Sequence, residues 1–213
     1  MNDFSKKICI VGAGGCGRDV ACCLQDCLSV VGMDVCKSAC FLVDDKYYEL
    51  SEVMGMEVIR RSQFNPTMYN VVVAIGDSKQ RKKVVQSFPQ DTTFTTIIHP
   101  STIISRWVEI GKGSVIAAGS ILTCNIKIGM HAQININTTI THDFIAGDYF
   151  TTAPSVNISG NCTFGECVYL GTNSSTREKV SICSNAVIGM GSVVVKNIVR
   201  EGIYVGNPAE RLR

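Results

Sequence analysis

Residues 110–145 read IGKGSV IAAGSI LTCNIK IGMHAQ ININTT ITHDFI, and this spacing by sixes runs without an insertion from residue 98 to residue 199. The first position of the 17 hexads is Ile, Leu, Val or Phe fourteen times, whereas the next position holds one such residue, Val195. Neither the periodicity of an α-helix nor the alternation of an ordinary strand fits this pattern. It is typical of a short strand followed by a corner. Three hexads then close a triangular coil of 18 residues, and stacked coils bury a continuous core.

The fourth position of the hexad carries the residue types that a tight corner needs. Asparagine and glycine tolerate the left-handed backbone conformation better than other residues do. The fourth positions include Asn125, Asn137, Asn161, Asn173, Asn185, Asn197, Gly113, Gly119 and Gly191. The fifth position is mostly Ser, Thr, Ala, Cys or Val, as a narrow interior requires. The register therefore predicts a parallel β-helix whose first hexad position points inward.

The residues before the first hexad follow a different pattern, in which strand and helix signals alternate. Strands are predicted over residues 8–11, 39–43 and 70–75, and helices over residues 17–29 and 77–87. This β-α-β order favours a small Rossmann-like parallel sheet with helices on its faces. We therefore predict an α/β domain over residues 1–97 and a β-helix domain over residues 98–213, which ends in a tail of 14 residues.

Composition and charge narrow the class of protein. Lys and Arg exceed Asp and Glu by 20 to 18, so the net charge of +2 implies no basic surface and makes nucleic acid a poor candidate partner. The longest purely aliphatic run, residues 71–75, is far too short for a membrane helix, and residues 1–7 lack the apolar segment of a signal peptide. We expect a soluble cytoplasmic protein without a membrane span.

Cysteine is unusually common, with eleven in the chain and seven of them within the first 40 residues. A metal or redox cluster is one interpretation, although no CxxC pair occurs and the spacings do not suit a zinc site. The interpretation that we favour is that these are small buried apolar residues that the cytosol keeps reduced. No metal site is predicted.

His142 is the residue that the coil arithmetic singles out for chemistry. Residues 18 apart stack at the same corner of neighbouring coils, so Gly160 lies one coil after His142. Asp143 lies one coil after Asn125, and His131 falls at a different corner. An imidazole suits the removal of a proton from an attacking amine or hydroxyl, and an adjacent carboxylate can orient it. The backbone N–H of Gly160 can stabilise an oxyanion. An exposed histidine without a catalytic role is the alternative.

The segment around His142, residues 137–148 (NTTITHDFIAGD), also carries a family motif. It resembles the N-x-x-x-x-x-H-[DE]-x-x-I-G-D segment of the hexapeptide-repeat acyltransferases. The matching subgroup contains the N-acetyltransferases of nucleotide-linked 4-amino-sugars and the sialic acid O-acetyltransferases. The resemblance implies a left-handed parallel β-helix, a homotrimer, and acetyl-CoA bound in the cleft between subunits. It also implies that His142 is the general base and that Asp143 assists it.

The resemblance extends to the C-terminus and implies contacts with CoA. Residues 169–174 and 188–192 resemble the wall that receives the pantetheine arm, and residues 202–209 resemble the closing segment near the adenine. The implied contacts are Gly160, Gly171, Thr172, Gly189, Gly191, Asn207 and Pro208. The alternative for each glycine is that only a corner of the coil requires it. The sequence departs from the motif at Thr151, where many members have a second histidine, and at Ala146, where the motif has isoleucine.

A glycine-rich loop, residues 12–17 (GAGGCG), follows the first predicted strand and precedes the first helix. Bare backbone at a helix N-terminus can receive phosphate, and the G-x-G-x-x-G pattern is a signature of dinucleotide binding. Residues 1–97 are too few for the second half of a dinucleotide fold. A site for a single nucleotide and a plain tight turn are therefore the remaining interpretations.

The resemblance favours the single nucleotide, because the amino-sugar acetyltransferases carry such a loop, then a D-D pair, then an A-I-G-[DN]-x-x-x-R segment. The implied substrate contacts are Gly12, Gly14, Gly15, Gly17, Arg18, Asp44, Asp45, Gly76 and Arg81. The loop would hold the diphosphate or the sugar side, and Asp44-Asp45 would lie by the base. The alternatives are a solvated strand end for Asp44-Asp45 and a surface position on a helix for Arg81.

These observations leave four hypotheses about function. The first is acetyl-CoA-dependent N-acetylation of the 4-amino group of a nucleotide-linked amino-dideoxy-sugar, with His142 as general base. The second is O-acetylation of a free sugar such as sialic acid. A nicotinamide-binding redox or sensor module rests on the glycine loop alone, and a metal-dependent hydrolyase requires three histidines to cluster.

Overall fold

The computed structural model describes residues 4–212, which separate into two compact units, one up to Pro100 and one from Ser101 onwards. Residues 1–3 and 213 lie outside the described residues, and so does the first part of the segment from which we predicted the absence of a signal peptide. In the described part of the chain, no helix is long and apolar enough to cross a membrane.

The first unit is an α/β structure, as predicted. Its elements in chain order are β1 (Lys7–Val11), α1 (Gly15–Val30), α2 (Val35–Ser38), β2 (Ala39–Val43), β3 (Glu52–Val53), β4 (Met56–Arg60), β5 (Tyr69–Val73), α3 (Ser78–Gln86), β6 (Thr93–Phe94) and β7 (Ile97–Ile98). Strands β1 to β6 form one sheet in the order β3-β4-β2-β1-β5-β6, in which only the β3–β4 hairpin is antiparallel. The sequence pattern missed the short elements α2, β3, β4 and β6.

Helices α1 and α3 cover opposite faces of this sheet. A Cβ on Gly17 of α1 would lie 3.5 Å from the ring of Phe41, whereas Val84 of α3 lines a cavity together with Leu42. Phe41 and Leu42 are neighbours on β2, so their side chains point to opposite faces. Burial is complete at the centre, where Phe41 and Leu42 are both inaccessible to solvent.

The second unit is a parallel β-helix, which confirms the fold predicted from the hexads. Its strands are β8 (Ile103–Ile104), β9 (Val108–Ile110), β10 (Val115–Ile116), β11 (Ile121–Leu122), β12 (Ile126–Ile128), β13 (Gln133–Ile134), β14 (Thr139–Ile140), β15 (Phe144–Ala146), β16 (Thr151–Thr152), β17 (Asn157–Ile158), β18 (Thr163–Phe164), β19 (Tyr169–Leu170), β20 (Ser175–Thr176), β21 (Ser181–Ile182), β22 (Val187–Ile188), β23 (Val193–Val194), β24 (Ile203–Val205) and β25 (Glu210–Arg211).

Three sheets run along the β-helix, and the chain visits them in turn. The first, which we call the B8 face, contains β8, β11, β14, β17, β20 and β23. The second, the B9 face, contains β9, β12, β15, β18 and β21, and the third, the B10 face, includes β10, β13, β16, β19, β22 and β24. Paired residues on neighbouring coils are 18 apart, as in Leu122 with Ile140. Side chains 18 residues apart therefore lie above one another.

Every fourth hexad position from Gly113 to Gly191 adopts the left-handed conformation. The asparagines and glycines do so as predicted, but so do residues that rarely adopt it, such as Tyr149 (φ +59°) and Lys179 (φ +61°). The stacked coils therefore impose the corner geometry even where the residue type disfavours it.

The first hexad position forms the core of the β-helix. All residues at this position from Ile116 to Val194 are buried, while Ile104 and Ile110 of the first coil are only half-buried. Where the position is polar it finds a partner, because the hydroxyl of Thr152 lies 3.0 Å from that of Thr138. Aromatic rings of Phe144, Phe150 and Phe164 meet in the middle, at centroid distances of 5.0–5.8 Å.

All eleven cysteines are thiols, and those of the sheet and of helix α1 include the buried residues Cys9, Cys23, Cys27 and Cys40. Among residues 4–212, no three His, Cys, Asp or Glu side chains come together as a metal ion would require.

Truncation of a core residue tests whether the first hexad position holds the β-helix together. Ile116→Ala removes a fully buried side chain, whereas Ile103→Ala on the same face of neighbouring coils removes one that is 64% exposed. We expect Ile116→Ala to lower the free energy of unfolding by about 2–5 kcal/mol, because it loses apolar burial and leaves a cavity. Urea unfolding at a fixed protein concentration measures both variants, and equal losses would contradict the assignment.

Candidate active site

The side chains of His142 and Asp143 form a hydrogen-bonded pair at the corner between β14 and β15. Nδ1 of His142 lies 2.8 Å from Oδ2 of Asp143. One coil earlier, Nδ2 of Asn125 donates to Oδ1 of Asp143 over 3.1 Å. The side chains of the pair are 53% and 45% exposed, so they are accessible from solvent. The arrangement combines an open imidazole with a carboxylate held from two sides.

The backbone fixes this pair through the stacking of the coils. The N–H of Asp143 donates to the carbonyl of Cys124 on the previous coil, and the carbonyl of His142 accepts from the N–H of Asn161 on the next. Asp143 takes the left-handed corner conformation, with φ +58°. Because Asp adopts this conformation nearly as readily as Asn, the corner accommodates a carboxylate with little strain.

Gly160 gives the imidazole its space on the following coil. A Cβ on Gly160 would lie 2.5–2.9 Å from three ring atoms of His142, which is closer than real contacts allow. Any other residue there would push the ring away from its place. The predicted stacking of Gly160 on His142 is confirmed, while its role as an oxyanion donor stays a prediction.

The electrostatics of the pair leave Nε2 of His142 as the proton acceptor. The hydrogen bond from His142 and, second, that from Asn125 hold the pKa of Asp143 below its ordinary value. An ionised carboxylate can only accept, so Nδ1 of His142 must carry a proton in this hydrogen bond. In the neutral imidazole, Nε2 then holds the lone pair, and a positioned substrate proton can be transferred to it.

A cavity of about 460 Å³ opens beside Asp143, on the side of the preceding coils. Its lining is Arg106, Trp107, Glu109, Asn125, Ile126, Lys127, Asp143 and Ile145. These residues occupy the corner of His142 and the adjoining B9 face on the earlier coils. Sequence reasoning missed Arg106 and Trp107, which belong to no motif.

The other two histidines lie away from this corner. His131 is buried at the corner between β12 and β13, with its ring stacked on Tyr149 at a centroid distance of 5.4 Å. Nε2 of His99 lies 2.9 Å from a carboxylate oxygen of Asp26 in the first unit. The predicted separation of His131 from His142 within one chain is confirmed.

The residues that the resemblance assigned to CoA lie mostly at a different corner from His142. Gly171 and Thr172 follow β19, and Gly189 and Gly191 follow β22, so all four turn from the B10 face to the B8 face. The coil uses the backbone N–H groups of the three glycines, which donate to the carbonyls of Ile188, Tyr204 and Thr172 respectively. Asn207 and Pro208, joined by a cis peptide bond, are exposed between β24 and β25. A single chain therefore does not bring these residues to His142.

A second cavity, of about 590 Å³, lies in the first unit at the carboxyl ends of β1 and β2. Gly12 and Gly14 line it together with Asp44. Helix α1 begins at Gly15 and has no side-chain cap at its N-terminus, so backbone N–H groups there are available to an anion. The loop thus has the geometry of a phosphate site.

Two residues of this loop have a different part from the one predicted. A Cβ on Gly17 would lie 1.8 Å from the carbonyl oxygen of Gly12, so Gly17 lets helix α1 pack against the loop. Gly15, Gly17 and Arg18 are absent from the lining of the cavity, and Gly17 is buried. A packing role accounts for Gly17 without any substrate contact.

The acidic pair after β2 divides its work. Asp44 lines the cavity. Asp45 instead accepts hydrogen bonds from the hydroxyl and the backbone N–H of Ser62, at 2.5 and 3.1 Å, and the hydroxyl contact chiefly lowers the pKa of Asp45. Only Asp44 is therefore directed to a ligand.

Arg81 requires a correction. The sequence predicted a substrate contact or a surface position, but the side chain of Arg81 is fully buried. Its Nη1 donates to the carbonyls of Ile75 and Gly76, at 2.6 and 3.3 Å. Arg81 therefore shapes the loop after β5 from beneath and does not itself reach the cavity, which Ile75 lines.

The sequence also missed part of this cavity. The segment after Asp44 contributes Lys46, Tyr47, Glu49 and Leu50, with the ammonium of Lys46 lying 4.6 Å from the centroid of the Tyr47 ring. The only signal was that these residues follow the D-D pair.

Comparisons with known proteins agree with both units. Residues 7–88 match the family model of the PglD N-terminal domain. The GDP-perosamine N-acetyltransferase of Escherichia coli O157:H7 is 30% identical over 215 residues, which cover 96% of this chain and 95% of that enzyme.

Two solved structures match along nearly the whole chain. WeeI from Acinetobacter baumannii AYE has a TM-score of 0.87 and 29% identity, covering 97% of this chain and 99% of its own. PerB from Caulobacter crescentus, solved with CoA and GDP-perosamine, has a TM-score of 0.85 and 25% identity, covering 99% and 98%.

The β-helix and the His142–Asp143 corner, together with these matches, define an acyltransferase of the hexapeptide-repeat class. A relative of 30% identity matches almost the whole length of both chains. The chain therefore belongs to the family of the Escherichia coli GDP-perosamine N-acetyltransferase.

Removal of the Asn125 amide tests how the carboxylate is held. Asn125→Gly keeps the left-handed corner free of strain and deletes only the donor, so we expect the pKa of Asp143 to rise. Carboxyl NMR titration of the full chain measures it. Because the folded pKa is depressed, the contribution of Asp143 to stability is present above its unfolded pKa and is lost as the pH falls through the folded one.

Asn185→Gly is the matched control, since Asn185 is a corner asparagine with the same left-handed backbone (φ +64°). It should leave the titration of Asp143 unchanged. An unchanged titration in Asn125→Gly as well would show that the amide does not support the carboxylate.

Proposed function

We propose that this protein is an acetyl-CoA-dependent N-acetyltransferase that acts on the 4-amino group of a nucleotide-linked amino-dideoxy-sugar. The observation that carries the proposal is the His142–Asp143–Asn125 arrangement, which leaves Nε2 of His142 open to solvent as a proton acceptor. The relatives support it, because one is named as a GDP-perosamine N-acetyltransferase and another was solved with CoA and GDP-perosamine.

The residues suit acyl transfer from a thioester to an amine. The substrate nitrogen attacks the thioester carbon, the new C–N bond forms, and Nε2 of His142 takes the proton that the nitrogen loses. Asp143 stabilises the resulting imidazolium and keeps the ring oriented. The C–S bond then breaks, and the proton passes from His142 to the sulfur, which leaves as the free thiol of CoA. In this proposal the N–H of Gly160, on the adjacent coil, faces the oxyanion.

The first unit supplies the reason to propose a nucleotide-linked acceptor. The uncapped N-terminus of helix α1 offers N–H groups to a diphosphate, and Gly12 and Gly14 bring bare backbone to the same cavity. Asp44, at the end of the neighbouring strand, suits the ribose hydroxyls, since an acidic residue takes that part at the end of the second strand in related sheets. A free sugar such as sialic acid uses none of these features.

The two corners of the β-helix support a homotrimer. His142 and the residues assigned to acetyl-CoA, Gly171, Thr172, Gly189 and Gly191, lie at different corners of one chain. A donor site that uses both sets then combines corners of two neighbouring copies, as a closed cyclic assembly allows. An enzyme that consumes acetyl-CoA works where acetyl-CoA is present, which favours the cytoplasmic location predicted from the sequence.

A thiol-release assay with acetyl-CoA and a panel of acceptors tests the proposal. We expect turnover with at least one GDP-, UDP- or dTDP-linked 4-amino-4,6-dideoxy-sugar, and none with free sialic acid. Thermal stabilisation by the matching nucleoside diphosphate should accompany it. Turnover of sialic acid without nucleotide binding would replace the proposal with O-acetylation. Binding of NAD, measured by calorimetry, without any acetyl transfer would favour a redox or sensor module.

Replacement of the base gives the corresponding prediction. His142→Gln should lower kcat by about 10²–10⁴-fold, because general base catalysis contributes about that much, and should leave CoA binding in place. His99→Gln is the control, since His99 contacts Asp26 in the first unit. Near-normal turnover in His142→Gln would rule out His142 as the base.

A further inference from the structure

Trp107 is the only tryptophan in the chain, and 62% of its surface is exposed. It lies at the corner between β8 and β9, where the later coils place Asn125, Asp143, Asn161 and Lys179. Every other residue in this column is polar or charged. A large aromatic side chain gains little from an exposed corner, because it leaves most of its apolar surface in water. The fold of the β-helix gives no reason for it.

Trp107 shares a cavity with the catalytic corner. The cavity of about 460 Å³ has Asp143 and Trp107 in its wall, with Asn125 between them on the intermediate coil. Neighbouring strands lie about 4.8 Å apart, so two coils separate the two corners by about 10 Å. A pyranose ring with its amino group directed at His142 spans most of this distance.

The cavity lies on the acceptor side of the histidine. Gly160, which the proposed mechanism assigns to the thioester oxygen, is on the coil after His142, whereas the cavity extends only over the coils before Ile145. The two reactants approach His142 from different sides in an acyl transfer. The earlier coils are therefore the free side for the amine and its ring.

The chemistry of the lining matches a deoxygenated sugar. An aromatic face packs against the C–H face of a pyranose, and a 6-deoxy sugar adds a methyl group to that apolar face. Arg106, Glu109 and Lys127 provide donors and acceptors for hydroxyl groups at the rim. The Lys127–Glu109 ion pair is 3.4 Å long with both side chains more than 60% exposed, so it costs little to open.

We propose that this cavity is the subsite for the amino-sugar ring and that Trp107 is the platform on which the ring stacks, which sets the preference for deoxy-sugars. This rests on the proposed function, because it assigns a place to the sugar of that substrate. Trp107 is then a binding residue that holds the ring equally in the ground state and in the transition state, so it affects KM more than kcat.

Tryptophan fluorescence tests the proposal directly, since Trp107 is the sole emitter of its kind. Titration of the full-length protein with the nucleotide-amino-sugar that it acetylates should change the emission saturably, with a midpoint close to KM. The corresponding nucleoside diphosphate without the sugar should bind without that change, and CoA alone should not reproduce it. An emission that is already shielded from solvent and does not respond to the sugar would mean that another copy of the chain covers Trp107, and would overturn the proposal.

Kinetics of two variants provide an independent readout. Trp107→Ala should raise KM for the nucleotide-amino-sugar about tenfold with kcat nearly unchanged, and Trp107→Phe should recover most of the loss because it restores an aromatic face. Ile103→Ala removes an exposed side chain of similar accessibility (64%) from another face of the same coil, and should leave KM unchanged.

The failure of this proposal is distinguishable from that of the proposed function. Turnover of the sugar with normal KM in Trp107→Ala and no change in emission would overturn the platform alone. An absence of turnover with every nucleotide-amino-sugar would overturn the function, and the platform with it.

Discussion

The backbone hydrogen bonds between residues 18 apart are the constraint on which the second unit depends. They join each coil to the next on all three faces, and they include the corners, where the N–H of Asp143 bonds to the carbonyl of Cys124. Because every coil must repeat the same path, every fourth hexad position takes a left-handed backbone, even at Tyr149 and Lys179. An insertion of one residue would displace all the inward side chains of its coil.

The candidate active site is a small variation on this repeat. At the corner of His142 the usual Asn is replaced by Asp143, and Asn125 on the coil below remains to bind it. The glycine on the coil above leaves the space in which the imidazole lies. A structural rule of the fold thus aligns three side chains along a column. Catalysis requires only the change of an amide to a carboxylate and the presence of one histidine.

The sequence predicted what depends on periodicity and missed what depends on three-dimensional packing. The hexad register predicted the coils, the left-handed corners and the stacking of Gly160 on His142, because each follows from a fixed spacing of 18. It could not predict that Arg81 turns inward to bind two carbonyls, since its basic neighbours resemble a solvated helix face. Trp107 also escaped notice, because its meaning comes from the column above it and from a cavity that no local motif records.

The central claim is that Asp143 fixes the tautomer of His142 so that Nε2 is the base. Nitrogen-15 NMR of the imidazole in the full-length protein tests it most directly, because the chain has only three histidines and single replacements assign their signals. We predict that the neutral ring of His142 carries its proton on Nδ1 and that Nε2 is unprotonated. A neutral ring with the proton on Nε2 would contradict the account, since that nitrogen would then have no lone pair to accept a substrate proton.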